Sequence, residues 1–150
     1  MKKTLAKFQS DTTDFLDAVA LFPDRQRSIS PEGEWSAAFI VHHVADAELH
    51  FAARYWHILG SENPAMPYFD EENYPSALKY EGRNVAKSLA AIVGIRSMVI
   101  EVLSDVDPSA FERITTAPDG VVFTLADLLT KADSHMAAHT EQLRELHARI

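Results

Sequence analysis

Thr124–Leu146 reads TLADLLTKADSHMAAHTEQLREL, and this stretch decides the fold. Leu125, Leu128, Ala132, His135, His139, Leu143 and Leu146 recur at spacings of three and four, the period of one helix face. Thr124-Leu125-Ala126-Asp127 opens the run as a Thr-x-x-Asp variant of the capping box, which closes the free backbone N–H groups of a helix start. Two imidazoles thus stand in an apolar seam, at positions where a helical bundle would otherwise carry leucine. Being four residues apart, they lie one turn above the other and point the same way.

Working outward, Ile114-Thr115-Thr116 and Val121-Val122-Phe123 flank Pro118-Asp119-Gly120. Two short β-rich runs around such a turn predict a small hairpin just before the last helix. Before it, residues 83–105 carry Val85, Leu89, Ile92, Val99 and Leu103 on one face, with Arg96 inside that apolar seam. Residues 61–82 hold Pro64, Pro67, Pro75 and the acidic trio Asp70-Glu71-Glu72, and read as a crossover with a short helical piece. So long a connection in a compact domain often overlies a functional site.

A second helix runs from about Trp35-Ser36 to Gly60, apolar on more than one side through Phe39, Ile40, Val44, Phe51, Tyr55, Trp56 and Ile58. Residues 23–34 form a loop rich in Pro, Ser, Gly and charge. The first helix shows Leu5, Phe8, Thr12, Phe15, Val19 and Phe22, and ends at Pro23. Four long helices in 150 residues predict a mainly α four-helix bundle, one domain over 1–150. Spacing fixes neither the order of the helices nor their handedness.

The formal net charge of −8 speaks against nucleic acid as a partner, because phosphate binding calls for a basic face. The chain has no cysteine, hence no disulfide, no thiolate nucleophile and no thiolate ligand. Met1-Lys2-Lys3 opens like a signal-peptide n-region, but Lys7, Gln9 and Asp11 break the apolar run that would have to follow. No apolar stretch reaches the roughly 18 residues of a membrane span. The expectation is a cytoplasmic protein with a small-molecule substrate and neither nucleic-acid nor membrane partners.

An imidazole in an apolar seam costs free energy unless its nitrogens are bonded. A metal ion meets that need, and so does a hydrogen bond to a neighbouring helix; spacing alone leaves both open. His42, His43, His50 and His57 all lie on the second helix. His43, His50 and His57 are seven apart, about 10.5 Å of helix axis between successive members, so at most one can join the pair. A di-iron or di-manganese bundle would need Glu-x-x-His on two helices. That motif is absent, and no carboxylate stands in the last seam. Met136 after His135 also removes the His-Glu-x-x-His pattern.

Trp35-Ser36 followed by His43-Val44-Ala45-Asp46 looks like a Trp-Ser-x₆-His-hydrophobic-x-acidic pattern, and His135-Met-Ala-Ala-His139-Thr-Glu-Gln142 like His-x₃-His-x₂-Gln. In both motifs and their order the chain resembles the DinB-like superfamily of metal-binding four-helix bundles, related to bacterial thiol transferases. The resemblance implies a metal triad of His43, His135 and His139, choosing His43 over His42 because it stands eight residues after Trp35. It implies zinc, nickel, iron or manganese as the ion, in octahedral or tetrahedral geometry. By family habit it also implies a homodimer. Family members transfer low-molecular-weight thiols such as bacillithiol, mycothiol or glutathione, or act as hydrolases or isomerases. Where the family often has Glu or Gln four after the tryptophan, this chain has Phe39.

Three imidazoles leave coordination positions open, as catalytic metal sites do. A thiol, if used, would come from a cosubstrate. Asp46, Gln142 and Arg96 are the candidate catalytic residues. Asp46 either orients a ligand or is a solvated helix carboxylate. Gln142 either bonds water at the ion or fills a polar gap. Arg96 either pairs with a substrate charge or packs its stem while its head reaches solvent. Two function classes follow: a metal-dependent thiol transferase or hydrolase, and a non-catalytic metal- or ligand-binding bundle.

Overall fold

A computed structural model describes residues 2–150; Met1, the first residue of the basic opening, lies outside them. The chain runs through α1 (Lys2–Ala20), α2 (Ala37–Gly60), the single turn α3 (Tyr74–Ala77) and α4 (Val85–Asp105). After α4 come β1 (Ile114–Thr116), β2 (Val122–Thr124) and α5 (Leu125–His147). The strands pair antiparallel, Thr115 facing Phe123, with Gly120 supplying the positive φ of 85° that the turn needs. The expected four-helix bundle with a hairpin before the last helix is thus present. Among the described residues no helix is long and apolar enough to cross a membrane.

The helix starts follow from their caps. Ser36 Oγ accepts from Phe39 N–H, so α2 begins at Ala37 and Trp35 is left outside it, free to turn back over the helix. Thr124 and Asp127 form the full reciprocal box at α5, and Asn84 caps α4 by accepting from Lys87 N–H.

The order of the helices, open in the sequence, comes from their partners. Each of α1 and α2 packs against both α4 and α5, so α1 and α2 sit on one diagonal of the bundle and α4 and α5 on the other. His42 meets Ser88 and Glu48 meets Arg96, so α2 and α4 point the same way. His43 meets His135 and Tyr55 meets Leu128, so α2 and α5 are antiparallel. Two adjacent parallel helices need a connection that returns along the bundle, about 36 Å for a helix as long as α2. That is why residues 61–84 are so long. Met66 N–H and Thr116 N–H exchange bonds with Thr116 and Pro64 carbonyls at one end of the crossover. Buried Tyr80 holds the other end.

The core has two apolar halves. Phe8, Phe51, Tyr55, Leu103, Leu125 and Leu128 lie in one; Phe15, Phe22, Ile40, Ile92, Met136 and Leu143 lie in the other. Between them runs a polar layer. Arg96, 1% exposed, donates to Glu48 Oε1 at 2.7 Å, Asp133 Oδ1 at 3.3 Å and the Phe8 carbonyl at 2.8 Å, its guanidinium lying over the Phe8 ring. This corrects two expectations. The head of Arg96 does not reach solvent but is held by Glu48 and Asp133, away from the imidazole cleft, and the buried face of α5 does contain a carboxylate, Asp133. A helix wedged between two neighbours buries more than one stripe, so a residue beside the seam becomes interior.

Candidate metal centre

His43 lies near the start of α2 and is 2% exposed; His135 and His139 come from the middle of α5 and are half-buried. His135 Nε2 is 3.1 Å from His43 Nε2 and 3.2 Å from His139 Nε2. Two nitrogens bound about 2.1 Å from one ion stand about 3.0 Å apart at a right angle and about 3.4 Å apart at a tetrahedral one. Both observed separations fall between these values. A lone proton on His135 Nε2 can bridge to only one neighbour, whereas a cation satisfies all three lone pairs.

The surroundings prepare the rings for that role. His139 Nδ1–H donates to Gln142 Oε1 at 2.8 Å; since the amide oxygen only accepts, the proton sits on Nδ1 and the Nε2 lone pair faces its partners. Trp35 stacks on His139 at 6.1 Å and tilts against His43 at 5.0 Å, while Phe51 meets His135 edge-on at 6.0 Å. Burial, then the neighbouring His139 charge, lowers the His43 pKa to about 4; burial and the other two imidazoles lower His135 to about 3, and burial lowers His139 as well. All three rings are therefore neutral, ligand-ready bases at physiological pH.

The three imidazoles form the floor of an open cleft of about 560 Å³. Trp35 and Phe39 make one wall; Glu71, Glu72 and Pro75 from the crossover make the other.

The sequence profile of the DinB superfamily matches residues 7–143. The chain belongs to the DinB superfamily. A relative from Geobacillus thermodenitrificans (strain NG80-2), named "Putative metal-dependent hydrolase", is 25% identical over 162 residues, covering 96% of this chain and 89% of its own. YfiT from Bacillus subtilis, described as "a probable metal-dependent hydrolase with an unusual four-helix bundle topology", superposes with a TM-score of 0.90 at 23% identity, over 99% of this chain and 86% of that one. The mycothiol-dependent maleylpyruvate isomerase superposes at 0.76 with 15% identity, over 95% of this chain and 60% of that one. Both solved structures have the fold of this DinB-superfamily chain.

The other three histidines of α2 stand apart from the cluster, as does His147, which packs against Phe22 at the end of α5. His42 is buried, its Nδ1 2.9 Å from Ser88 Oγ; His50 pairs with the Tyr74 hydroxyl at 3.0 Å; His57 donates to the Ala53 carbonyl at 2.7 Å. Asp46 is no solvated carboxylate. It is 8% exposed and holds Arg83 through two bonds, at 2.7 and 3.0 Å, and the Tyr80 hydroxyl at 2.7 Å. Rather than lining the cleft, it pins the end of the crossover to α2. Gln142 reaches the His139 ring and orients it.

Glu48 and Asp133 were missed by sequence reasoning. The available signal was Arg96 itself: a charge in an apolar seam needs opposite charges at the same level of the bundle. Glu71 and Glu72 were visible as an acidic run, but only the parallel arrangement of α2 and α4 carries them over the imidazoles.

Proposed function

We propose that this protein is a divalent-metal-dependent hydrolase of a small molecule, with His43, His135 and His139 as the metal ligands. The convergence of three neutral imidazole Nε2 atoms at the floor of an open cleft carries this reading. The hydrolase names borne by the Geobacillus thermodenitrificans protein and by YfiT agree with it. When bound, the ion would supply Lewis acidity toward a carbonyl group and toward water.

The chain's own residues do the rest. The imidazoles carry no charge, so they leave the ion's charge undiminished. Gln142 keeps the His139 proton on Nδ1 and its lone pair on Nε2. Trp35 and Phe39 keep bulk water from one side of the cleft and offer flat apolar surfaces to a substrate. Glu71 and Glu72, facing them, are the carboxylates in the cleft that can accept a proton.

Protein purified without chelator should hold about one divalent ion per chain, as expected of a site with one ligand set. Stripping the ion should abolish turnover in a panel of small esters, amides and lactones, and re-addition should restore it. His135→Ala should lose both the ion and the turnover. The panel needs a thiol arm, since thiol transfer by a chain without cysteine would take its sulfur from a cosubstrate. Full activity in the metal-free protein would overturn the reading. A metal-loaded protein inert toward every substrate would leave a metal-binding bundle without catalysis.

A further inference from the structure

The cleft is lopsided in charge. Glu71 and Glu72 both line it, no lysine or arginine does, and among the described residues neither carboxylate takes a hydrogen bond or an ion pair. The nearby cations are turned elsewhere. Arg83 is committed to Asp46, Arg54 donates to the Pro67 carbonyl, and Lys79 lines an adjoining recess together with Glu81. Lys131 lies one helix turn before His135 and reaches over Phe123 instead. The opposite wall is aromatic, Trp35 and Phe39 with ring centroids 4.6 Å apart, and Pro75 adds a rigid apolar face.

Two negative charges balance the charge of a divalent ion on neutral ligands, so the cleft as a whole draws in neither sign, and the choice is made locally, where an anion beside Glu71 and Glu72 is repelled. A cation beside those two carboxylates is attracted, and Trp35 and Phe39 give its apolar part a surface to pack on. Resting on the metal-dependent reading above, we propose that the cleft takes a substrate carrying an alkylammonium group beside a flat apolar portion, with Glu71 and Glu72 as the residues that select for positive charge. This places anionic thiols and carboxylate-bearing substrates among the poorest candidates.

The test uses metal-loaded protein and three para-substituted phenyl ligands that differ in one group: trimethylammonium, the isosteric tert-butyl, or sulfonate, a poor metal ligand. Calorimetry measures their binding to the wild type, Glu71→Gln, Glu72→Gln and the double variant, with metal content checked in each. Both side chains are exposed, so the variants should fold. The ammonium ligand should bind the wild type at least tenfold tighter than tert-butyl, with sulfonate weakest. Each single variant should lose about fivefold of that preference, the upper range for one solvent-facing charge pair. The double variant should bring cation and neutral isostere within about twofold, as should high salt. Equal binding of the ammonium and tert-butyl ligands, tightest binding of the sulfonate, or a preference unchanged in the double variant would overturn the inference. Acetate esters of the corresponding phenols keep the two readings separable. If none is turned over but the cation preference and its loss persist, the hydrolase reading falls and charge selection stands. If the wild type turns over the neutral ester best, charge selection falls and the hydrolase reading stands.

Discussion

At the residue scale, the imidazoles owe their readiness for a metal to burial and the glutamine that orients one of them. His43 and His135 are held at about 4 and about 3, by burial first and by the charge of His139 after it, with His43 adding to the effect on His135. A base whose folded pKa is depressed takes up fewer protons in the native state than in the unfolded chain. Its contribution to stability is present above the unfolded value near 6.5 and is lost as pH falls toward the folded value. In metal-free protein, NMR of the histidine ring protons should therefore show both rings neutral down to about pH 5, against about 6.5 for a free imidazole. Titration of both near the free value would contradict the burial argument. Gln142→Leu keeps the bulk but removes the acceptor from His139 Nδ1–H, so metal affinity should fall about 10- to 100-fold while the fold persists. Competition with a chelator of known affinity measures it. An unchanged affinity would reduce Gln142 to a gap-filler.

At the element scale, the polar layer shows where sequence reading succeeds and where it stops. The helices, the capping box at Thr124 and the hairpin were legible because each is local: Thr124 meets a backbone N–H three residues on, as Ser36 and Asn84 do at caps that the structure adds. The triad was legible because residues four apart on one helix share a face, and because the family resemblance at Trp35-Ser36 singled out His43 as the third imidazole. Asp46 and Arg96 were misplaced because their partners lie 37 and 48 residues away, on elements whose neighbours spacing does not reveal. Arg96 stands between two carboxylates that burial raises to about 6 despite its charge. Arg96→Ala would leave both without their cation, and should cost about 3–5 kcal/mol at neutral pH, the range for breaking a buried pair. The sign of the pH dependence follows. Carboxyls with raised folded pKa values favour folding below their unfolded pKa, and that contribution disappears as pH rises through the folded value. The deficit of the variant should therefore shrink as pH is lowered toward about 5. Urea unfolding across that range measures it; a deficit independent of pH would mean that lost packing, rather than lost charge, is the cause.

At the scale of the whole molecule, the ion and the core stabilise different things. The two apolar halves hold all four long helices together without any help from the imidazoles, so removing metal should leave the helix content intact. The imidazoles tie α2 to α5 across one antiparallel interface, and the crossover closes over that same interface between its anchors at Pro64–Met66 and Tyr80. An ion that binds only the folded chain stabilises it by mass action, about 2.7 kcal/mol at a hundredfold excess over Kd. For a domain of this length that is a rise in melting temperature on the order of 10 °C. Chelation should reverse the rise, and His135→Ala should show none at any metal concentration. The distribution of the effect discriminates further. Hydrogen exchange should slow on metal binding in the first turns of α2, the middle of α5 and residues 67–79, and stay unchanged at the far end, around Leu103 and Leu125. Uniform slowing across all four helices would mean that the ion acts through global stability alone. Slowing confined to the triad's end and the strap above it would mean that the site and its lid form one cooperative unit on a core that folds without them.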